Sequence, residues 1–302
     1  MQNFYSNGKL LLTGEYVVLD GASALAIPTK LGQSLRIESI FENKILWKSL
    51  DEKGNIWFED VFSYDEIVTD FINSDTTISN QLLQILKAAK QINPKFLDTK
   101  NGFKVTTKLD FPKNWGLGSS STLINNIAKW ANVNAYELLE KTFGGSGYDI
   151  ACAQYNSAIT YQLSAKNSVI NEVKFNPSFK NHLYFVYLNK KQNSREGIAQ
   201  YKTNRANLTD EISKINTITS QMVDCKNLEE FQILIKQHES IISKIIKQQP
   251  IKEQLFNDFK GSIKSLGAWG GDFILVASKA PITPYFKSKG FEVVIPFEDM
   301  VL

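Results

Sequence analysis

The chain has 302 residues, 43% of them hydrophobic, with 34 Lys and Arg against 31 Asp and Glu. That is enough apolar material for a sizeable core and about two domains, and too even a charge balance for a nucleic-acid or anionic-membrane binder. Two distant cysteines, Cys152 and Cys225, and two histidines, His182 and His238, speak against a disulfide framework or a zinc cluster.

In chain order, the N-terminal run KLLLTGEYVVL is broken by Gly14 and Glu15 and is too short to span a bilayer, so no export signal or anchor is expected and a cytoplasmic setting fits. From Gly8 to Ile40 the β-rich runs KLLL, EYVVLD, SALAI and SLRIESI, separated by Gly14, Gly21, and Pro28 with Gly32, predict strands in hairpins. KILWKSL and NIWFEDV, split by Asp51 to Gly54, predict one more hairpin. Ser79 to Ile92 predicts a helix with Leu82, Leu83, Ile85, Leu86 and Ala89 on one face, ended by Asn93 and Pro94.

GFKVTTKLD reads as a strand that feeds PKNWGLGSSS, Pro112 to Ser121. Behind it Leu123, Ile124, Ile127, Ala128 and Ala131 recur at helical spacing, so the serines stand at a helix start. Such a start carries unsatisfied N–H groups and partial positive charge, and glycines before it let an anion approach the backbone. Two readings fit equally: a phosphate cradle, or a serine-capped helix after a glycine turn. The stretch is neither a Walker A loop nor a GxGxxG fingerprint.

Asn134 to Phe143 predicts a helix stopped by Gly144 and Gly145, and GGSGYDIACAQ starts another near Gly147 or Tyr148 with Asp149 in its first turn. AITYQL predicts a strand and SAKNS a turn. A boundary between Lys166 and Lys180 divides an expected domain 1–170 from a second, 171–302, which opens on the apolar strand HLYFVYL. Helices are expected at Asn193 to Asn204, Thr209 to Asp224, Asn227 to Gln248 and Glu253 to Leu266, followed by GAWGGD and the strands FILVA and FEVVIPF.

The order and spacing of three glycine motifs, GKLLLTGEYVVLDG, PKNWGLGSSST and GAWGGDFILV, with GGSGYDIA between the last two, resembles the GHMP kinase superfamily, named for galacto-, homoserine, mevalonate and phosphomevalonate kinases. The resemblance spans about residues 8 to 278. It implies an α+β fold of two domains, the first like domain 2 of ribosomal protein S5 and the second ferredoxin-like, and transfer of the γ-phosphoryl group of ATP, with Mg²⁺, to a small molecule in a cleft between them.

The resemblance also implies roles. Gly116, Leu117, Gly118, Ser119, Ser120 and Ser121 match the ATP-phosphate loop, with Ser120 a magnesium ligand beside Glu137 or Glu140. Asp149 matches the catalytic base of the mevalonate kinase branch, and Lys9 the lysine beside it. Glu15, Ser146, Gly147, Lys190, Ser194 and Arg195 are the implied substrate-binding residues, with Lys191 adding charge to that basic loop. Gly267, Ala268, Gly270 and Gly271 match the turn that supports the ATP loop.

Two family glycines are replaced. Asn114 stands at one, where tolerance of positive φ would preserve the turn, and Trp269 at the other, where core packing is expected over stacking on the nucleotide. GEY, SGYDIA and the GGD of the third motif resemble phosphomevalonate kinases more than mevalonate kinases, while the length of 302 residues is closer to bacterial mevalonate kinases, so the resemblance implies a mevalonate-pathway acceptor, mevalonate or phosphomevalonate. The alternatives are a sugar or homoserine kinase and a non-catalytic GHMP-fold binding protein. A small-molecule partner, no nucleic acid or membrane, and a monomer or homodimer complete the expectation. The serine cluster is not a hydrolase elbow, because no GxSxG occurs, and the HRD and DFG signatures of protein kinases are missing.

Overall fold

The structure, a computed structural model, describes residues 1–69, 77–164, 168–203 and 207–302, without the side chains of Ser194 and Arg195. The expected turn around Lys166 and the end of the expected helix at Asn204 therefore lie outside the described residues. The chain forms two compact units: Met1–Gly8, Leu31–Lys113 and Leu117–Gln154 make the first, and Lys9–Lys30, Asn114–Gly116 and Tyr155–Leu302 the second. Two strands, β1 (Gln2–Leu11) and β2 (Ala24–Ile40), contribute residues to both.

In the first unit β2 is followed by the hairpin β3 (Lys44–Leu50) and β4 (Ile56–Ser63). Its turn is closed by Asp51, whose Oδ1 accepts from the N–H groups of Lys53 and Asn55, and by Gly54 at φ 84°. Helices α1 (Tyr64–Val68) and α2 (Ile78–Ile92) precede β5 (Gly102–Leu109), and α3 (Ser119–Ala131), α4 (Ala135–Thr142) and α5 (Tyr148–Gln154) complete the unit. The strands run β4-β3-β5-β2, with β3 parallel to β5 and the other pairs antiparallel. Ile85 and Leu86 of α2, Ile124 and Ile127 of α3, and Leu138 of α4 pack with Trp47 and Val105 of the sheet, and each buried side chain of this size stabilises by roughly 1.5–3 kcal/mol.

The second unit adds β6 (Ile159–Gln162), β7 (Val169–Glu172), β8 (Leu183–Tyr187), α6 (Ser194–Thr203), α7 (Thr209–Asp224), α8 (Leu228–Ile246), α9 (Ile251–Leu255), β9 (Ser262–Ser265), β10 (Phe273–Ala277), α10 (Thr283–Ser288), β11 (Val294–Pro296) and α11 (Phe297–Met300). A four-stranded antiparallel sheet runs β11-β8-β10-β9, while β6 bridges the start of β2 to β7. Among the described residues no helix is long and apolar enough to cross a membrane.

Three expectations are corrected here. EYVVLD is not a strand: Val17–Asp20 is a 3₁₀ turn whose Val18 N–H bonds to Gly14 O and whose end takes Gly21 at φ 87°. SALAI and SLRIESI are one strand, because Pro28 lies between the part of β2 paired with β6 and the part paired with β5. Glu253 to Leu266 is not one helix. Gly261 passes so close to Phe259 and the Ala277 carbonyl that a Cβ would meet them at 2.4 and 2.8 Å, and the chain leaves it as β9, paired with β10.

Candidate functional site

PKNWGLGSSS is divided between the units, Asn114–Gly116 going to the second and Leu117 onward to the first. In the first unit Leu117 is wholly buried and Gly118, at φ 91°, begins α3 with no side-chain cap. The serine-cap reading is therefore corrected: all three serines lie inside the first turn. Ser121 is buried and its Oγ donates to Gly118 O at 2.9 Å, whereas Ser120 is exposed. Among the described residues no side chain accepts from the first-turn N–H groups of this 13-residue helix, which are the donor set of an anion cradle. Thr122 pins the turn from below, its Oγ1 donating to Gln33 Oε1 at 2.7 Å.

Asp149 lies half-buried in the first turn of α5, and its Oδ1 accepts from the Ile150 N–H at 3.1 Å. Half-buried Ser146 and buried Gly147, at φ 86°, lead into it. The two helices are tied together because Asn125 Nδ2 donates to Ala153 O and Gln154 Nε2 donates to Asn125 Oδ1. Glu137 and Glu140 are exposed on α4, whose N-terminus is capped by Asn134. Among the described residues no three His, Cys, Asp or Glu side chains gather as a metal centre. Magnesium carried with phosphates needs only one or two protein oxygens, so the donor chemistry of an exposed Ser120 hydroxyl with one glutamate fits it.

In the second unit the tripeptide Asn114–Gly116 is held on every side. Lys9 Nζ donates to Gly116 O at 2.9 Å and the Tyr187 hydroxyl donates to Asn114 O at 3.1 Å. Trp115 stands edge-on to Phe273, ring centres 5.2 Å apart, and tilted against Tyr187. Gly116 is at φ 69°, and the Asp272 carboxyl fills the space where a Cβ would project, 2.2 Å from its Cγ. Asp272 Oδ1 accepts from the Gln192 N–H at 3.1 Å, and its own N–H donates to Lys190 O at 2.6 Å. Burial raises the Asp272 carboxyl above its usual range, opposed by the Gln192 N–H and by the ammonium groups of Lys9 and Lys191. Asn114 does not use left-handed backbone, contrary to expectation; Gly116 and Gly118 take the positive φ instead.

The third motif packs behind this loop. Trp269, at φ 52°, is buried in a core with Tyr16, Val17, Tyr201, Ile215 and Ile242. Ala268 O accepts from the Tyr16 hydroxyl at 2.8 Å, Gly267 and Gly270 turn at φ 57° and 78°, and Lys190 O occupies the space beside Gly271. Lys190 and Lys191 are exposed, and Ser194 and Arg195 open α6 with side chains outside the described residues.

Glu15 is not available to a substrate. Its carboxylate is fully buried, with Oε1 2.5 Å from Lys264 Nζ and Oε2 3.4 Å from His238 Nε2. Lys264 Nζ also donates to Ser265 O at 2.6 Å and lies 3.1 Å from Glu239 Oε1, an ion-pair distance without hydrogen-bond alignment. Burial lifts Glu15 to about 7 despite Lys264, raises Glu239, and holds His238 well below its ordinary range. His238 is thus neutral, and its Nε2 accepts from the Gly14 N–H at 3.0 Å, so it is no cation for Glu15. Sequence reasoning missed Lys264, Glu239, His238 and the placement of Asp272. Two carboxylates, a lysine and a histidine spread over three distant segments leave no local signal; for Asp272 the signal was a carboxylate ending a glycine-rich turn.

No protein-family sequence model matches the chain, and no curated protein sequence matches it. Solved structures do. The mevalonate kinase of Methanococcus jannaschii aligns with TM-score 0.73 and 19% identity over 97% of this chain and 96% of the other. The phosphomevalonate kinase of Streptococcus pneumoniae, solved in complex with phosphomevalonate and AMPPNP, gives 0.69 and 16% over 96% of each. The galactokinase of Lactococcus lactis, complexed with galactose, gives 0.68 and 13% over 95% of this chain and 88% of the other. The two-unit α+β architecture of this chain is the GHMP kinase fold.

Proposed function

We propose that the chain is an ATP-dependent small-molecule kinase that transfers the γ-phosphoryl group to a mevalonate-pathway acceptor, mevalonate or phosphomevalonate. The observation that carries this reading is the start of α3, where left-handed Gly118 leads into a helix N-terminus with no side-chain cap. Backbone N–H groups of Ser119 to Ser121 bind the nucleotide phosphates, oriented by the first-turn bonds of Ser121 and Thr122. Asp149 orients the acceptor hydroxyl and takes its proton, or positions an acceptor phosphate. Lys9 offsets the charge that develops on the transferred group. Magnesium bound with the nucleotide supplies charge neutralisation at the phosphates, and Ser120 with Glu137 or Glu140 would hold it. By the resemblance, acceptor binding falls to Ser146 and Gly147 in the first unit and to Lys190, Ser194 and Arg195 in the second, and support of the ATP loop to Gly267, Ala268, Gly270 and Gly271.

Likeness to structures that hold phosphomevalonate and AMPPNP supports the nucleotide and the acceptor class, as do the GEY and GGD residues. The test is ADP release by the purified protein with mevalonate, phosphomevalonate, homoserine and galactose. Turnover with either of the first two is expected. Turnover only with galactose or homoserine would overturn the acceptor assignment, and no ADP with any of them would overturn the kinase reading.

A further inference from the structure

Asp272 combines three features that packing alone does not require. Its backbone sits at φ 52°, a region glycine occupies with less strain, so a side chain is kept there against local preference. Its carboxyl occupies the position a Cβ on Gly116 would take. It lies within the field of two ammonium groups, Lys9 and Lys191, while its Oδ1 is fixed by the Gln192 N–H at 3.1 Å. The same Lys9 donates to Gly116 O at 2.9 Å, so one turn is gripped by the cation through its carbonyl and by the anion against its Cα. Tyr187, packed under the turn, donates to Asn114 O and keeps its own phenol protonated, burial and Asp272 both raising its pKa.

We propose that Asp272 is a positioning residue for phosphoryl transfer: its carboxylate holds the Lys9 ammonium and the Gly116 turn in one fixed arrangement, so that the cation and the first residues of the phosphate loop move as a unit. The proposal rests on the kinase reading above and adds to it a residue outside the loop itself. Removing the charge takes away the anion whose field Lys9 shares, while its bond to Gly116 O stays and the loop backbone remains held by Trp115 and Tyr187.

Two variants of the full chain separate this role from a structural one. Asp272→Asn keeps size and the Gln192 contact and removes charge; Asp272→Gly also removes the backbone strain. In the absence of nucleotide, acetylation of individual lysines at pH 8, read by mass spectrometry, is expected to quicken at Lys9 about threefold or more in Asp272→Asn, with Lys95 unchanged. In ADP-release kinetics kcat falls about tenfold or more while KM for ATP stays within about threefold, the pattern of an interaction felt in the transition state. Asp272→Gly melts at or above the wild-type temperature and shows the same loss of kcat. Unchanged Lys9 acetylation in Asp272→Asn, or full kcat in a stable Asp272→Gly, overturns the proposal. Failure of the wild-type protein to release ADP overturns the kinase reading and the transfer role with it, while the acetylation result still decides whether Asp272 governs Lys9.

Discussion

Replacing Lys264 by methionine keeps an unbranched side chain of similar volume and deletes the only cation that faces Glu15 and Glu239 among the described residues. Lys264 is 1% exposed and Glu15 0%, so water does not take over the lost contacts. Removing one partner of a buried pair costs about 3–5 kcal/mol. The pH dependence follows from the sign of the shifts. Glu15 has a folded pKa of about 7 against an ordinary 4.5, so the native state holds its proton longer than the unfolded chain, and stability falls as pH rises through that window. Burial raises Glu239 in the same direction, so both carboxyls weaken the fold as the pH rises. Urea unfolding of wild type and Lys264→Met at pH 5 and pH 8 is the assay. The variant is expected to lose about 3–5 kcal/mol at pH 8 and clearly less at pH 5, where the carboxyls take up protons. Adding Glu15→Gln to Lys264→Met should recover part of the loss. A Lys264→Met protein within about 1 kcal/mol of wild type at pH 8, or a deficit equal at both pH values, refutes the account of this cluster.

Gly116→Ala meets both a left-handed backbone and the Asp272 carboxyl, and is expected to cost about 2–4 kcal/mol in thermal or urea unfolding, with the part due to the carboxyl recovered when Asp272→Gly is added; additive losses would show that the two do not touch. Asp149→Asn should retain nucleotide binding by calorimetry while ADP formation falls about a hundredfold or more, and unchanged turnover removes Asp149 from the chemistry. Ser120→Ala should shift the magnesium dependence of turnover to higher concentration with stability within about 0.5 kcal/mol, since the side chain is exposed; an identical magnesium dependence removes it from the ligand set.

Much of the framework is legible in local pattern. The helical spacing from Leu82 to Ala89 and from Leu123 to Ala131 gives α2 and α3 nearly to the residue, and the Asp51 to Gly54 turn marks the β3–β4 hairpin. Errors came where a local pattern met a distant partner. Leu255, Phe256, Phe259, Ile263 and Leu266 have helical spacing, yet β9 forms because β10 offers a ladder and Gly261 permits the close pass beneath Ala277. The parallel pairing of β3 with β5 joins segments separated by β4, α1 and α2 and has no signature in either.

At the candidate site the glycine-serine loop, the helix behind it and the first-turn position of Asp149 are legible in the chain alone, because left-handed turns, helix starts and first-turn carboxylates are consequences of neighbouring residues. Which groups answer them depends on residues that folding brings in from distant segments. Ser119 to Ser121 lie in the first turn instead of capping it, Lys9 grips Gly116, and Asp272 closes over the same glycine from residues far along the chain. Glu15, inside the first motif, is drawn into the core by Lys264, since a buried carboxylate is tolerated only where a cation is buried with it.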